Sequence, residues 1–160
     1  SPLYLPISPR GELVTEVDFL SVGTNDLIQY TLALGRDDEG VKGLYQPLHP
    51  AVLRLLAMVN RAGEATQTPV SICGEMAADP RYALVLLAMG FSEFSMTPNA
   101  LPLVKEVIRR SSIAESRALL AEIQGMARAG AIADRVDSFM VDRFPEIVRP
   151  SMRSAPRASR

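Results

Sequence analysis

The chain has 160 residues, which is enough for one domain with a substantial hydrophobic core. With 48% hydrophobic and 22% charged residues its composition is globular, and a net charge of −1 gives no reason to expect nucleic acid or a membrane as partner. The single cysteine excludes an internal disulfide, and the longest apolar run is too short to cross a bilayer. The sequence SPLYLPISPR at the start does not have the pattern of a signal peptide. We therefore expect a cytoplasmic protein.

The first predicted element is a strand near residues 18–22, which follows an irregular N-terminal segment, residues 1–15. Prolines are frequent in that segment, and proline disfavours both helix and central strand. The sequence Gly-Thr-Asn-Asp at 23–26 then leads into a short helix that we expect to begin near Leu27. A polar loop follows this helix.

The second predicted unit also combines a strand with helices. Pro50 opens a helix at its first turn, where the missing N–H of proline has no cost. An apolar run near 69–73 predicts the second strand. After it, Asp79 as N-cap and Pro80 at the first helical position predict another helix, with Gly90 as its stop signal.

The third predicted unit has a strand near 92–96, after which Thr97-Pro98 repeats the helix start signal. We expect this helix to place Leu101, Val104 and Ile108 on one face. Strand and helix therefore alternate three times, which predicts a parallel sheet with right-handed crossovers.

The C-terminal third is predicted to be helical. A capping box at 112–115 begins a helix that carries apolar residues at 119, 120 and 123. A last helix is expected over about 129–143. The tail, residues 146–160, is rich in arginine and small or polar residues, and we expect it to be disordered.

Polar groups follow each predicted strand, in the sequences Gly23 to Asp26, Cys73 to Glu75, and Ser95 to Pro98. Because α/β barrels carry their chemistry at the carboxyl ends of the strands, a carboxylate, an amide and a thiol are expected around one mouth. Three strands are too few for a closed barrel of eight. The chain is therefore either a small open α/β domain or part of a larger one.

Four segments, three of which contain these strand ends, resemble one protein family. They are DFLSVGTNDLIQYTLALGRDDEG, LYQPLHPAVLRLL, VSICGEMAADP and GFSEFSMTPNALPLVKEVIR. Over residues 18–110 the chain strongly resembles the end of the phosphoenolpyruvate-binding barrel of enzyme I, the phosphoenolpyruvate–protein phosphotransferase of the bacterial sugar phosphotransferase system. The resemblance implies that residues 16–145 form about three βα units at the C-terminal end of a TIM-type (β/α)8 barrel, followed by helices. Residues 1–15 do not resemble the family's preceding strand, so we expect a truncated chain.

The resemblance implies roles for two residues at the end of the first strand. Asp26 is the implied magnesium ligand and a contact of the substrate phosphate, and from the residue alone it would be an N-cap of the following helix. Asn25 would donate to a phosphate oxygen, or act as a turn residue that stabilises its own loop. Gly23, beside them, would allow close backbone approach or a positive φ.

Two further residues complete the implied half-site. Arg36 matches a phosphate-binding arginine, although the charged sequence around it is also typical of a solvated loop. Cys73 is the implied general acid that protonates the enol carbon to give pyruvate, whereas a lone cysteine in an apolar strand is more often a small buried hydrophobe. Glu75 would orient Cys73 or hold a loop, and His49 is expected to be a loop or helix-cap residue.

The implied reaction transfers the phosphoryl group of phosphoenolpyruvate to a protein histidine, with Mg²⁺ neutralising charge. The implied partners are a histidine phosphocarrier protein, bound through an N-terminal domain outside this sequence, and a second copy in a homodimer. Pyruvate phosphate dikinase and phosphoenolpyruvate synthase share the Gly-Thr-Asn-Asp and Cys-Gly-Glu elements and stay as alternatives. So does a non-catalytic binding or dimerisation fragment, and we expect the isolated chain to be inactive.

Overall fold

The fold is built around a small parallel sheet. The structure is a computed structural model that describes residues 17–34 and 45–147. Within them, three strands lie in the order β1 (Leu20–Gly23), β2 (Val70–Cys73) and β3 (Glu93–Ser95). Both pairings are parallel, as predicted, and they place Gly23 beside Cys73 and Cys73 beside Ser95. The carboxyl ends of all three strands therefore meet at one edge of the sheet.

Helices make up most of the remaining described chain. They are α1 (Thr24–Thr31), α2 (Pro50–Thr66), α3 (Glu75–Ala78), α4 (Pro80–Ala88), α5 (Leu101–Arg110), α6 (Ile113–Gln124) and α7 (Ala129–Arg143). The predicted mixed α/β architecture is confirmed at this level, whereas closure of the sheet into a barrel stays a prediction.

Three helix starts form as their sequences indicate. The Asp79 side chain accepts a hydrogen bond from the Arg81 backbone N–H at 2.9 Å and caps α4. The expectation for His49 is confirmed, since its Nδ1 caps α2 by accepting from the Ala51 N–H at 3.1 Å. At α6, both hydrogen bonds of the capping box that begins with Ser112 are present. Side chains that satisfy free N–H groups therefore fix these boundaries.

Two helix predictions need correction. Helix α1 begins at Thr24 rather than near Leu27, because the chain turns directly from β1 into the helix with Gly23 at the N-cap position. The helix α3, which begins after Gly74, has no counterpart among the predicted elements. No residue separates β1 from α1, and one residue separates β2 from α3.

The start of α5 also differs from the prediction. Thr97-Pro98 does not open the helix, because the Ala100 N–H donates to the Thr97 carbonyl at 3.1 Å and closes a turn first. The helix then begins at Leu101, which is 51% exposed, while Val104 is buried together with Val107. The expected face is thus wrong at its first position, where Leu101 lies at the exposed start of the helix, while Ile108 is half-buried.

The two faces of the sheet differ in character. Ile72 and Phe94 lie on the face that packs against the helices, and Ile72 is fully buried. Because strand side chains alternate, the opposite face carries Ser21, Ser71, Cys73, Glu93 and Ser95. We call these five residues the polar face. The described residues leave Ser21, Glu93 and Ser95 on it exposed.

Helices α6 and α7 pack on α4 and extend the same core. Ile123, Ile132 and Met140 are fully buried in it, as the predicted C-terminal helices require. Residues 1–15, expected to be irregular, and 148–160, expected to be disordered, lie outside the described residues. Ile147, which also belongs to the expected disordered tail, is buried in the core. Among the residues that are described, no helix is long and apolar enough to cross a membrane.

Candidate functional site

The candidate site lies where β1 and β2 end side by side. The Thr24 side chain is fully buried, and its Oγ1 donates to the Cys73 carbonyl oxygen at 3.0 Å. This bond ties the first residue of α1 to the last residue of β2. It therefore holds Asn25 and Asp26, which follow Thr24 in the first turn of α1, beside the end of β2.

Asn25 joins three parts of the chain through one atom. Its Oδ1 accepts from the backbone N–H of Glu75 at 3.0 Å and from the Tyr45 hydroxyl at 3.2 Å. Because the oxygen faces two donors, the NH₂ group of Asn25 is the part of the side chain able to donate to a ligand. Asn25 thus stabilises its surroundings, as the turn-residue interpretation requires, without using its own donors in these two bonds.

The close approach at this point depends on Gly74. Its φ is +102°, and a Cβ at Gly74 would lie 2.6 Å from Thr24 Oγ1 and 3.1 Å from Asn25 Oδ1. Gly23, which was expected to have such a role, has φ −77° and nothing within 4 Å of an added Cβ. The positive φ expected of Gly23 is therefore wrong, and the crowding within the chain occurs at the end of β2 rather than at the end of β1.

Cys73 ends the central strand, and its thiol lies on the polar face. The side chain is half-buried, and Sγ approaches the Val22 carbonyl oxygen at 3.5 Å as a donor. The Ser21 hydroxyl, on the neighbouring strand, donates to Sγ at 3.7 Å. A thiol with a carbonyl acceptor and a hydroxyl donor around it has partners both as thiol and as thiolate. Ser21 had no role in the sequence analysis, although its spacing before Gly23 places it on this face.

Asp26 lies inside the first turn of α1, half-buried, and is not its N-cap. A carboxylate in this position is favoured by the positive end of the helix dipole. The carboxylate oxygens of Asp26 are hard ligands of the kind that Mg²⁺ prefers. Mg²⁺ is usually bound by one or two protein carboxylates together with water and substrate phosphate. Within the described residues, no group of three or more His, Cys, Asp and Glu could hold a metal ion. The Asp26 carboxylate is thus a ligand type that Mg²⁺ accepts. Arg36 lies outside the described residues.

Tyr45 is the main participant that sequence reasoning missed. Burial and then the nearby Glu75 carboxylate raise the pKa of Tyr45 to about 12. Burial also raises the pKa of Tyr82, which lies close enough to Tyr45 for the two to interact. Tyr45 belongs to the segment LYQPLHPAVLRLL, so a signal was present in the sequence. That segment contributed to the resemblance without any role for its tyrosine.

Most of this chain is similar in sequence to known proteins. Residues 10–113 match the profile of a family described as PEP-utilising enzyme, PEP-binding domain. A phosphoenolpyruvate-protein phosphotransferase of Cupriavidus necator is 52% identical over 106 residues, which are 66% of this chain and 17% of that protein. Proteins of the same name from Buchnera aphidicola and Priestia megaterium are 39% and 44% identical over 81% and 77% of this chain. The chain spans about a fifth of the length of these relatives, 23% and 22% in the last two.

Proposed function

Since this chain belongs to the PEP-utilising enzymes through their PEP-binding domain, we propose that its strand ends supply part of the phosphoenolpyruvate site of a phosphoenolpyruvate–protein phosphotransferase. The names of the relatives support this activity over that of a dikinase or synthase. The reaction would move the phosphoryl group to a protein histidine and release pyruvate. The whole protein would act in the cytoplasm, as a homodimer, in sugar transport, with a histidine phosphocarrier protein as its partner.

One observation carries the proposal: hydrogen bonds between sequence-distant residues gather the candidate groups at one edge. The Thr24–Cys73 bond and the Asn25–Glu75 bond join the ends of two strand–helix units. In the proposed site, the Asn25 NH₂ group donates to a phosphate oxygen. The Arg36 guanidinium would bind the same phosphate through paired N–H groups.

Asp26 would be the ligand that this chain contributes to Mg²⁺. When bound, Mg²⁺ would supply positive charge next to the phosphoryl oxygens and lower the cost of their negative charge. Asp26 would also fix where the phosphate lies relative to Asn25, since the two residues are adjacent in one helical turn. The Asp26 carboxylate, through Mg²⁺, and the Asn25 amide would therefore both act on the phosphate of the substrate.

Cys73 would supply the proton that completes pyruvate. Cleavage of the bond between phosphorus and the enol oxygen leaves the electron pair on the enolate. The methylene carbon then forms a C–H bond with the proton of the Cys73 thiol, whose S–H bond breaks and leaves a thiolate. The Ser21 hydroxyl, 3.7 Å from Sγ, is placed to donate to that thiolate.

The parallel order of the strands also supports the proposal that the sheet is part of a (β/α)8 barrel. In that arrangement the polar face would point into the barrel. A non-catalytic binding or dimerisation fragment is the second candidate function. It would require only the folded strand ends that the structure describes, and no complete metal site among them.

The single cysteine allows a direct test on the chain itself. We expect phosphoenolpyruvate with Mg²⁺ to slow the reaction of Cys73 with iodoacetamide, measured by mass spectrometry. Asp26→Asn should weaken this protection, while Asp134→Asn, an exposed change on α7, should leave it as it is. Equal rates with and without phosphoenolpyruvate, or equal protection in Asp26→Asn, would contradict the proposed site.

A further inference from the structure

Tyr45 is placed to control the orientation of Asn25. Its hydroxyl donates to Asn25 Oδ1 at 3.2 Å, and the same oxygen accepts the Glu75 backbone N–H at 3.0 Å. A backbone N–H can only donate, so turning the carboxamide by half a turn would bring its NH₂ group against a donor. The two bonds together therefore select one orientation of the amide.

The hydroxyl of Tyr45 is held as a donor by its surroundings. Burial and the Glu75 carboxylate keep the pKa of Tyr45 far above neutral pH, at about 12. The ring packs against the main hydrophobic core and positions the hydroxyl from that side. Tyr45 thus reaches from the core to the site, and its ring and its hydroxyl have separate functions.

We infer that Tyr45 is a positioning residue, which holds Asn25 Oδ1 so that the Asn25 NH₂ group points toward the phosphate of a bound phosphoenolpyruvate. The inference rests on the proposed function for the identity of the ligand. It goes beyond that function in naming the residue that sets the direction of the amide donor. Tyr45 itself does not touch the substrate in this arrangement.

The test compares Tyr45→Phe with Tyr82→Phe in the full chain. Each change removes one hydroxyl and keeps the ring, and Tyr82 is also partly buried against the core. We expect Tyr45→Phe to raise the phosphoenolpyruvate concentration that half-protects Cys73 by about three- to tenfold, the usual effect of one lost hydrogen bond. Tyr82→Phe should leave it unchanged. An unchanged value in Tyr45→Phe would overturn the inference.

A double variant separates positioning from a general structural role. If Tyr45 acts through Asn25, then Asn25→Ala and Asn25→Ala/Tyr45→Phe should give the same half-protecting concentration, because the group to be positioned is gone. If Tyr45→Phe adds its full factor to Asn25→Ala, Tyr45 acts by another route and the inference is wrong.

A second measurement judges the inference without phosphoenolpyruvate. The Asn25 side-chain NH₂ group gives a pair of signals in the ¹H–¹⁵N NMR spectrum. We expect Tyr45→Phe to move these signals clearly further than Tyr82→Phe does, because the Tyr45 hydroxyl bonds directly to Asn25. If phosphoenolpyruvate fails to protect wild-type Cys73, the proposed function fails alone, and moved Asn25 signals still support positioning. Unmoved signals overturn it.

Discussion

At the scale of single residues, the candidate site depends on Gly74, which has no side chain. Gly74 lets the end of β2 approach α1 so closely that Thr24 can bond to Cys73 and Asn25 to Glu75. Gly74 also has φ +102°, a value that is unfavourable for any residue with a Cβ atom. Space and backbone conformation therefore both require glycine here.

We expect Gly74→Ala to destabilise the chain by about 2 kcal/mol, through backbone strain and the contact at Thr24 Oγ1. Chemical denaturation monitored by circular dichroism measures the change. The matched control is Gly130→Ala in helix α7, where an added Cβ meets nothing within 4 Å. That change should be neutral or stabilise by about 0.5 kcal/mol through helix propensity. A Gly74→Ala variant as stable as Gly130→Ala would refute the role given to Gly74.

Sequence reasoning placed the candidate groups at the strand ends but missed the residues that arrange them. Asn25, Asp26 and Cys73 follow apolar runs, and the ends of such runs are visible in a sequence. The roles of Thr24 and Tyr45 depend instead on contacts across 49 and 20 positions of the chain. Such pairings follow from strand register and helix docking, which no local pattern specifies.

At the scale of elements, capping side chains control where helices begin. At α6, the Ser112 hydroxyl accepts the Glu115 N–H at 3.1 Å, and the Glu115 carboxylate accepts the Ser112 N–H at 2.9 Å. We expect Ser112→Ala to cost about 1 kcal/mol of stability. Thermal and denaturant unfolding measure it. Ser92→Ala, an exposed change before β3, is the matched control and should change nothing, and an equal loss in both variants would contradict the capping role.

The same cap predicts a dependence on pH. Hydrogen bonds from the Ser112 backbone, then its hydroxyl, and the Arg143 charge lower the pKa of Glu115 from its usual 4.5. A lowered folded-state pKa gives stability that is present above the unfolded value and is lost as pH falls through the folded value. The stability advantage of wild type over Glu115→Gln should therefore shrink below about pH 4.5. An advantage that stays constant from about pH 7 to about pH 3 would contradict the assignment.

Elements were predictable where side chains mark their ends. The helices α2, α4 and α6 carry proline, aspartate or serine signals at their starts, and their starts form as expected. The starts of α1 and α3 carry no capping side-chain bond, and only the strand ends before them locate them. The turn before α5 uses a backbone bond that most residues could make, so Thr97-Pro98 was misread as a helix start.

At the scale of the whole molecule, α7 is joined to α4 by an ion pair at the surface. Arg81 lies 3.7 Å from Asp137 and also pairs with Asp79. Burial raises the pKa of Asp137, Arg81 opposes this, and the charges of Asp79 and Asp134 add to the rise. A raised folded-state pKa gives stability that is present below the unfolded value and is lost as pH rises through the folded value.

We therefore expect wild type to lose stability relative to Asp137→Asn as the pH rises from about 3.8 toward neutrality. Denaturant unfolding at a series of pH values measures the difference. Asp142→Asn, an exposed change on the same helix, should show no such trend. The opposite slope would mean that the attraction to Arg81 outweighs the burial of Asp137.

Taken alone, the chain should not turn over phosphoenolpyruvate. Its one histidine, His49, uses Nδ1 to cap α2. We expect no pyruvate from phosphoenolpyruvate and Mg²⁺ in an assay coupled to lactate dehydrogenase. Wild-type chain and Cys73→Ser should give the same background. Pyruvate release above that background by wild type would contradict this prediction.

The hydrogen bonds that build the site also constrain how the chain folds. Those between Thr24 and Cys73 and between Asn25 and Glu75 span 49 and 50 positions. Closing such long loops costs entropy before any contact compensates for it, so high contact order slows folding. The candidate site is therefore assembled only when the strands β1 and β2 have paired. In a folding intermediate that contains the helices without this strand pairing, the residues of the candidate site would be present but not brought together.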